Sequence, residues 1–163
     1  MKGIKQMKIS SAEHISAQRL LIRWEDGSEN ELDLKPVFES SQPLRHLLKS
    51  ANFKNFKIDE YGWGLEWCDE VSIGSDSLLH DALVQAGELT SWETFDSWRK
   101  ANGLSLTETA KALGISRRMV AYYSNREQAI PKMVGLAIEG LEARRAGEPT
   151  HIGPGARRGV FER

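Results

Sequence analysis

Two adjacent arginines, Arg117 and Arg118, directly follow Ser116, a residue type that often caps the start of a helix. A guanidinium group at the exposed start of a helix can donate two parallel hydrogen bonds to a phosphate group or to the O6 and N7 atoms of guanine. At helical spacing, Ala121 and Tyr122 extend the same outward surface. The pattern therefore predicts a helix, beginning at Arg117, whose outer face binds a nucleic acid.

A second short helix must hold this surface in place. Ser105 and Glu108 have the S-x-x-E spacing of a capping box, which predicts a helix that runs through Leu113. Gly114 then begins a three-residue turn, because glycine adopts a left-handed conformation at the lowest cost. Ala110 is small where the two helices would cross. Two short helices joined by such a turn form a helix-turn-helix. The apolar residues expected to hold the pair together are Leu113, Ile115, Val120 and Tyr123.

Helices are also predicted on both sides of this pair. Thr90 and Glu93 form another capping-box pattern, which predicts a helix that ends near Gly103. Pro131 suits the first turn of a last helix, which should continue to about Arg145.

This last helix carries more apolar surface than one core requires. Val134 and Ile138 form a second stripe beside the first, so the apolar face exceeds the roughly 100° of helix surface that a single core covers. One use for it is a twofold-related copy of the chain, which predicts a homodimer. The alternative is that Val134 and Ile138 pack against the first half of the chain or its tail. The residues of the first stripe, expected to close the core, are Met133, Leu136, Ala137 and Leu141.

The first half of the chain has the sequence pattern of β-strands. Asp26 and Gly27 lie between two β-rich runs, Arg19–Trp24 and Glu29–Leu34. They predict a hairpin because both turn residues tolerate positive φ. Lys2–Ile9 is a candidate for a further strand.

A second hairpin is predicted from Phe53–Asp59 and Gly64–Trp67. Pro36 and Pro43 bracket a loop before it, and cap-forming residues predict a helix from about residue 75 to residue 86. The aromatic residues expected in the core of this half are Trp24, Phe56, Trp63 and Trp67.

The two halves of the chain differ in charge. Residues 1–90 contain ten Lys and Arg against fifteen Asp and Glu, whereas residues 91–163 contain twelve against eight. The positive second half suits an anionic partner. We therefore predict an α+β fold with a small, mainly β domain and its closing helix over residues 1–88. An all-α helix-turn-helix domain follows over residues 89–146, and an irregular basic tail over residues 147–163.

Several other classes of protein lack support in the sequence. No run approaches the roughly 20 apolar residues of a membrane helix, and no apolar segment follows the basic N-terminus. The single cysteine, Cys68, stands beside two acidic residues that disfavour its thiolate, so a nucleophile is not expected. We expect a non-enzymatic cytoplasmic protein without metal or cofactor, since the histidines lack ligand spacing. These histidines are His14, His46, His80 and His151.

Residues 104–142 resemble the Cro/repressor-type (XRE-like) helix-turn-helix family, and T-E-T-A-K-A-L-G-I-S is that family's helix-turn segment almost unaltered. The resemblance implies that Arg117, Arg118, Ala121 and Tyr122 face the bases of double-stranded DNA. Asn125 stands where the family often has a glycine, a position whose geometry asparagine tolerates. Residues at positions where the family contacts phosphates are Thr107, Asn125 and Arg126. Ser116, at the start of the recognition helix, completes the predicted DNA-binding set.

The first half resembles a widespread bacterial domain of unknown function. The similar features are a W-x-D-G hairpin followed by L-D-L-x-P (residues 32–36), and F-x-x-D-E-x-G-x-G-L-E-W (residues 56–67). Such domains are often encoded beside toxin-like proteins, which implies an antitoxin or regulatory role. The sequence thus favours a DNA-binding transcriptional regulator, of which an autoregulatory, antitoxin-like protein is one form. The alternative is an antitoxin-type module that neutralises a toxin-like protein partner while its helices mainly dimerise.

Overall fold

The computed structural model describes residues 4–67 and 71–147. The fold is α+β, as predicted: antiparallel sheets dominate the first half and helices the second. The strands are β1 (Ile9–Ser16), β2 (Arg19–Trp24), β3 (Glu29–Asp33), β4 (Lys57–Ile58), β5 (Gly64–Trp67), β6 (Val71–Gly74), β7 (Leu89–Thr90) and β8 (Ile130–Pro131). The helices are α1 (Lys35–Ser40), a 3-10 helix (Gln42–Leu48), α2 (Ser50–Phe53), α3 (Ser75–Gln85), α4 (Trp92–Ala101), α5 (Leu106–Leu113), α6 (Arg117–Ser124) and α7 (Lys132–Arg145).

The first sheet has the order β1-β2-β3, and the predicted hairpin joins its last two strands. Only Gly27 in the turn has a positive φ, of 86°. Asp26 instead accepts hydrogen bonds from the hydroxyl and the backbone N–H of Ser28, which lower the pKa of its carboxyl group. Within the described residues the strand predicted over Lys2–Ile9 is wrong, because residues 4–8 precede β1, which begins at Ile9 and pairs with β2 along residues 9–16.

The second sheet has the order β4-β5-β6. Asp59 closes the predicted turn by accepting from the backbone N–H groups of Tyr61 and Trp63. Trp63 was predicted to lie in the core, and this is wrong, since its side chain is 42% exposed. The turn carries Trp63 outward, where the Lys8 ammonium group lies 5.2 Å from the centre of its ring.

Both sheets cover one hydrophobic core with α3. Trp24 and Trp67 are buried there as predicted, and Phe56 packs against its edge. The loop predicted between Pro36 and Pro43 instead contains α1, which has a proline at its start and buries Phe38. Pro36 therefore lies in the first turn of a helix and does not mark the start of a loop.

A short β-ladder of β7 with β8 leads into the helices. Thr90 was predicted to cap α4, and this is wrong: its hydroxyl donates to Pro131 O and accepts from the N–H of Gly135. Ser91 caps the helix instead, accepting a hydrogen bond from Thr94 N. The Thr90 side chain is therefore bonded to the start of α7 and does not cap α4.

The helices surround a second core that is separate from the first. It contains Val134 and Ile138, whereas Met133 and Leu136 are 71% and 55% exposed. The core position predicted for Met133 and Leu136 is therefore wrong, and Val134 and Ile138 occupy the core instead. Val134 and Ile138 belong to the same core as Phe95, and Leu141, of the stripe predicted to close this core, packs against it.

The proposed limits at residues 88 and 146 stay predictions, although the two cores lie on either side of residue 88. Cys68 and residues 148–163 of the tail lie outside the described residues. Within the described ranges no helix combines the length and the apolar character needed to cross a membrane.

Candidate nucleic-acid interface

Helix α5 begins with the predicted capping box. The Ser105 hydroxyl accepts from the N–H of Glu108, and the Glu108 carboxylate accepts from the N–H of Ser105 at 2.8 Å. Hydrogen bonds from the Ser105 hydroxyl and then its backbone N–H lower the pKa of Glu108. Thr109 and Ala110 are buried on the inner side of the helix. The start of α5 is thus fixed by local hydrogen bonds.

The turn to α6 has the predicted geometry. Gly114 ends α5 in the left-handed conformation, with φ of 68° and ψ of 30°. A Cβ atom at Gly114 would meet nothing within 4 Å, so backbone conformation and not space selects glycine. Ser116 then caps α6 by accepting from Met119 N at 3.1 Å.

The inner side of α6 anchors it to the helical core. Val120 is fully buried, and Tyr123 packs edge-on against Phe95 with ring centres 5.7 Å apart. Burial raises the pKa of the Tyr123 hydroxyl group above its usual value of 10.0. At the end of the helix, the Arg99 guanidinium donates to the Ser124 hydroxyl at 2.6 Å. These contacts fix the orientation of α6.

The outer side presents the predicted arginines. Arg117 and Arg118 are exposed, while Ala121 and Tyr122 are half-buried beside them. The Arg118 Nε donates to the Tyr122 hydroxyl at 2.7 Å, and its guanidinium lies 5.3 Å from the ring centre. Tyr122 therefore orients Arg118 in advance and leaves its terminal nitrogens free to donate.

The polar groups at the helix starts lie near these arginines in the sequence. Thr107 is exposed in the first turn of α5, and Ser116 is exposed at the start of α6. The first turns of helices present unpaired N–H groups and a positive dipole end, both of which favour an anion. Thr107, Ser116 and the arginines thus offer donors suited to phosphate.

The segment after α6 departs from the prediction. Asn125 was expected to occupy the left-handed position, but its φ is −88° and the residue with positive φ is Arg126, at 58°. Both side chains are exposed. Arg126 is paired with Glu93 on α4 at 3.0 Å, and its guanidinium lies 5.7 Å from the centre of the Trp92 ring.

Sequence reasoning missed the contacts of Arg126 with α4. Glu93 was assigned to a capping box and Trp92 to no role, because residues 33 and 34 positions apart give no local signal. Their proximity follows from the packing of α4 beside α6. Among the described residues, no group of three or more His, Cys, Asp or Glu side chains is arranged to hold a metal ion.

Comparison with known proteins connects both halves of the chain. Residues 9–83 match the model of a family described as a protein of unknown function (DUF2442). A crystal structure from Nitrosomonas europaea, described as that of a "Putative DNA Binding Protein", has 37% sequence identity. The match covers 85% of this chain and 88% of that one, with a TM-score of 0.51. The chain therefore belongs to the same family as the Nitrosomonas europaea protein. Comparison of the chain with curated proteins found no match.

The DUF2442 match confirms that the first half resembles a domain of unknown function, as its hairpin patterns predicted. The similarity to the Nitrosomonas europaea protein extends beyond residue 83 into the helices, because it covers most of the chain. The surface formed by Arg117, Arg118 and Tyr122 therefore belongs to a chain whose similarity to the Nitrosomonas europaea protein includes both DUF2442 residues and residues that follow them.

Proposed function

We propose that the chain is a non-enzymatic regulator that binds double-stranded DNA through an XRE-like helix-turn-helix formed by α5 and α6. The observation that carries this proposal is the pair of exposed arginines at the capped start of α6, a helix held firmly by its inner face. The DNA-binding description of the Nitrosomonas europaea relative supports it.

In this proposal α6 lies in the major groove. Arg117 and Arg118 donate to guanine O6 and N7, whereas Ala121 and Tyr122 contact neighbouring base edges. Thr107, Ser116, Asn125 and Arg126 contact phosphates. The phosphate contacts supply most of the affinity, and the contacts to base edges supply the sequence preference.

The proposed DNA complex contains a homodimer. Met133 and Leu136 on α7 are large apolar residues that are each more than half exposed. Covering them with a second copy would bury apolar surface and place two α6 helices side by side on one face of DNA. Recognition helices of such dimers lie about 34 Å apart.

A mobility shift on the DNA upstream of the chain's own gene tests the DNA-binding proposal. A shift that persists against excess unrelated duplex, and weakens steeply with salt, is expected. The matched control is Arg117→Ala combined with Arg118→Ala, which keeps the fold because both side chains are exposed. No shift at low salt on any duplex would overturn the proposal.

A second candidate function is binding of a protein partner, as in the antitoxin alternative. Tyr61, 68% exposed, and Trp63 lie on the rigid turn closed by Asp59, and exposed aromatic residues often anchor interfaces. Co-purification with the product of an adjacent toxin-like gene should be lost in Trp63→Ser. The same variant should still bind DNA, which separates this function from the first.

A further inference from the structure

Three side chains adjoin one another at the junction between the two cores: His80 stacks on Trp92, and Arg126 makes a cation–π contact with the same indole. The His80 ring lies parallel to the Trp92 indole, with ring centres 3.9 Å apart and planes 12° apart. The Arg126 guanidinium contacts the same indole at 5.7 Å from its ring centre. His80 belongs to α3 of the first half, Trp92 begins α4, and Arg126 follows α6. The stack therefore connects the β-rich half to the end of the proposed recognition helix.

The Trp92 ring is held in one orientation. Its Nε1 donates to Gln128 O at 3.0 Å, two residues beyond Arg126, and the side chain is 9% exposed. Trp92 thus contacts the backbone of the segment that carries Arg126, as well as its side chain. A displacement of the indole would move the whole segment.

The His80 ring is unusual for a buried position. It is 2% exposed, and its Nδ1 lies 3.2 Å from an Asp81 carboxylate oxygen, so Nδ1 donates. Its Nε2 is buried without a hydrogen-bond partner among the described residues. An aliphatic residue would avoid this cost. What the imidazole adds is a flat face against Trp92.

Arg126 is held in an uncommon conformation and remains accessible. Its φ of 58° lies in the left-handed region, which is costly for a residue with a Cβ atom. Its side chain is 55% exposed and that of Glu93 is 66% exposed, so their ion pair can exchange with solvent or with another anion. The stack and the Glu93 pair together fix where this cation lies.

We propose that the β-rich half controls DNA affinity through this stack, with His80 and Trp92 as positioning residues for the phosphate contact of Arg126. The inference rests on the proposed DNA-binding function and deepens it. His80 supports the indole, the indole supports the guanidinium, and a DNA phosphate replaces Glu93 as the anion. DNA affinity then depends on a residue of the first half that does not touch DNA.

A double-mutant cycle in the full chain tests this coupling. Binding to the upstream duplex is measured by fluorescence anisotropy across a series of salt concentrations, with wild type, His80→Ala, Arg126→Gln and the double variant. The logarithm of the binding constant falls linearly with the logarithm of the salt concentration, and Arg126→Gln should make this slope shallower by about one. His80→Ala should also make the slope shallower. Adding His80→Ala to Arg126→Gln should change the slope no further.

Matched variants separate stacking from general damage to the core. His80→Phe keeps a flat ring on Trp92 and should retain the wild-type slope. Gln85→Ala lies on the same helix but bonds the backbone of Asp33 instead, and it should also leave the slope unchanged. Because His80 is buried, His80→Ala removes packing from the core, so His80→Gln is made as a second variant without a ring. Thermal melts show which of the two remains folded, and that variant is used in the cycle.

Glu93→Gln supplies an independent test that does not disturb the core. Removing the competing anion should tighten DNA binding about twofold to fivefold, the range expected for an exposed ion pair. This gain should vanish in the Arg126→Gln background. A gain that persists without Arg126 would overturn the exchange of Glu93 for phosphate.

The outcomes distinguish the two proposals. If the wild type binds no duplex, the proposed function fails. If it binds but Arg126→Gln keeps the wild-type slope, or the effects of His80→Ala and Arg126→Gln add independently, DNA binding stands and the coupling is overturned. If the effects of His80→Ala and Arg126→Gln are not additive, and His80→Phe keeps the wild-type slope, the coupling is established.

Discussion

At the scale of single residues, the two arginines of α6 differ in how far they are organised in advance. Arg118 is tethered to the Tyr122 hydroxyl and ring, whereas Arg117 makes no hydrogen bond or ion pair within the described residues. A tethered guanidinium loses less conformational freedom on binding. Arg118 is thus the better prepared of the two for a fixed contact with one base.

We expect Arg117→Ala and Arg118→Ala each to weaken binding to the preferred duplex by about 1–3 kcal/mol, the range for a bidentate contact with guanine. Titrations by anisotropy measure this, with circular dichroism to confirm the fold. Arg19→Ala is the control, because Arg19 is likewise an exposed arginine, on β2, where it is paired with Glu31. Unchanged affinity in both α6 variants would contradict their assignment to the bases.

Gly114 and Gly140 allow backbone conformation to be tested separately from space. A Cβ atom would meet nothing within 4 Å at either position, but only Gly114 has a positive φ. Gly114→Ala should therefore lower the free energy of unfolding by about 1–2 kcal/mol. Gly140→Ala, inside α7, should raise it by about 0.5–1 kcal/mol. Urea titrations compare the two, and equal effects would rule out the left-handed turn as the cause.

At the scale of elements, the capping box gives α5 a pH dependence. The pKa of Glu108 is lowered in the folded chain, chiefly by the Ser105 hydroxyl and then by its backbone N–H. A carboxyl group with a depressed folded pKa stabilises above its unfolded pKa, near 4.5. That contribution is lost as the pH falls through the folded value.

We therefore expect the melting temperature of the wild type to fall more steeply below about pH 4.5 than that of Glu108→Gln. Melts followed by circular dichroism from neutral pH down to about pH 3 measure the difference. Glu139→Gln, a substitution of an exposed carboxylate in the middle of α7, should behave like the wild type. If Glu108→Gln and Glu139→Gln respond alike to acid, the capping box contributes nothing to the acid response.

The elements that local patterns determine could be predicted from the sequence. The hairpin at Gly27, the capping box of Ser105 and the turn at Gly114 each depend on residues a few positions apart. Ser91 and Thr90 show where this fails. Both can cap a helix, and only the hydrogen bonds of Thr90 with Pro131 and Gly135 decide between them.

The orientation of α7 could not be predicted for a related reason. Its apolar residues are spread around the helix, so periodicity alone does not select the stripe that enters the core. The packing of α7 against α4 and β7 decides which stripe enters the core. Gly135 shows how closely α7 approaches β7, since a Cβ atom at Gly135 would lie 2.5 Å from the Thr90 hydroxyl oxygen. This contact turns Val134 and Ile138 inward.

At the scale of the whole molecule, the candidate site spans residues that the sequence separates widely. The recognition surface was predicted because Arg117, Arg118 and Tyr122 lie within one short helix. The stack of His80 on Trp92 was not, since it joins two cores whose contact depends on tertiary packing. A long-range contact of this kind leaves no period or motif in the chain. The same limit applies to the face that two copies would share.

A homodimer formed through α7, as proposed, would use the exposed face of this helix, because Val134 and Ile138 are already buried in the core. Met133 and Leu136 are three residues apart, so they lie on one side of the helix. Each is more than half exposed, and covering both in a twofold contact removes apolar surface from water. Since α7 packs directly on α4 and α5, a dimer formed there would fix the spacing of the two α6 helices.

We expect Met133→Glu combined with Leu136→Glu to give a folded monomer with weakened binding to a two-site duplex. Glutamate favours helices, and a negative charge in the first turn of α7 suits its dipole, so the melting temperature should remain near that of the wild type. Sedimentation velocity at micromolar concentration measures the oligomeric state. Ile15→Glu, at a 45% exposed position on β1, is the control and should remain dimeric. A wild-type monomer, or a double variant that still dimerises, would remove α7 from the interface. Binding to a single half-site should be equal in all three proteins, because a charge on α7 leaves the contacts of each α6 with DNA intact.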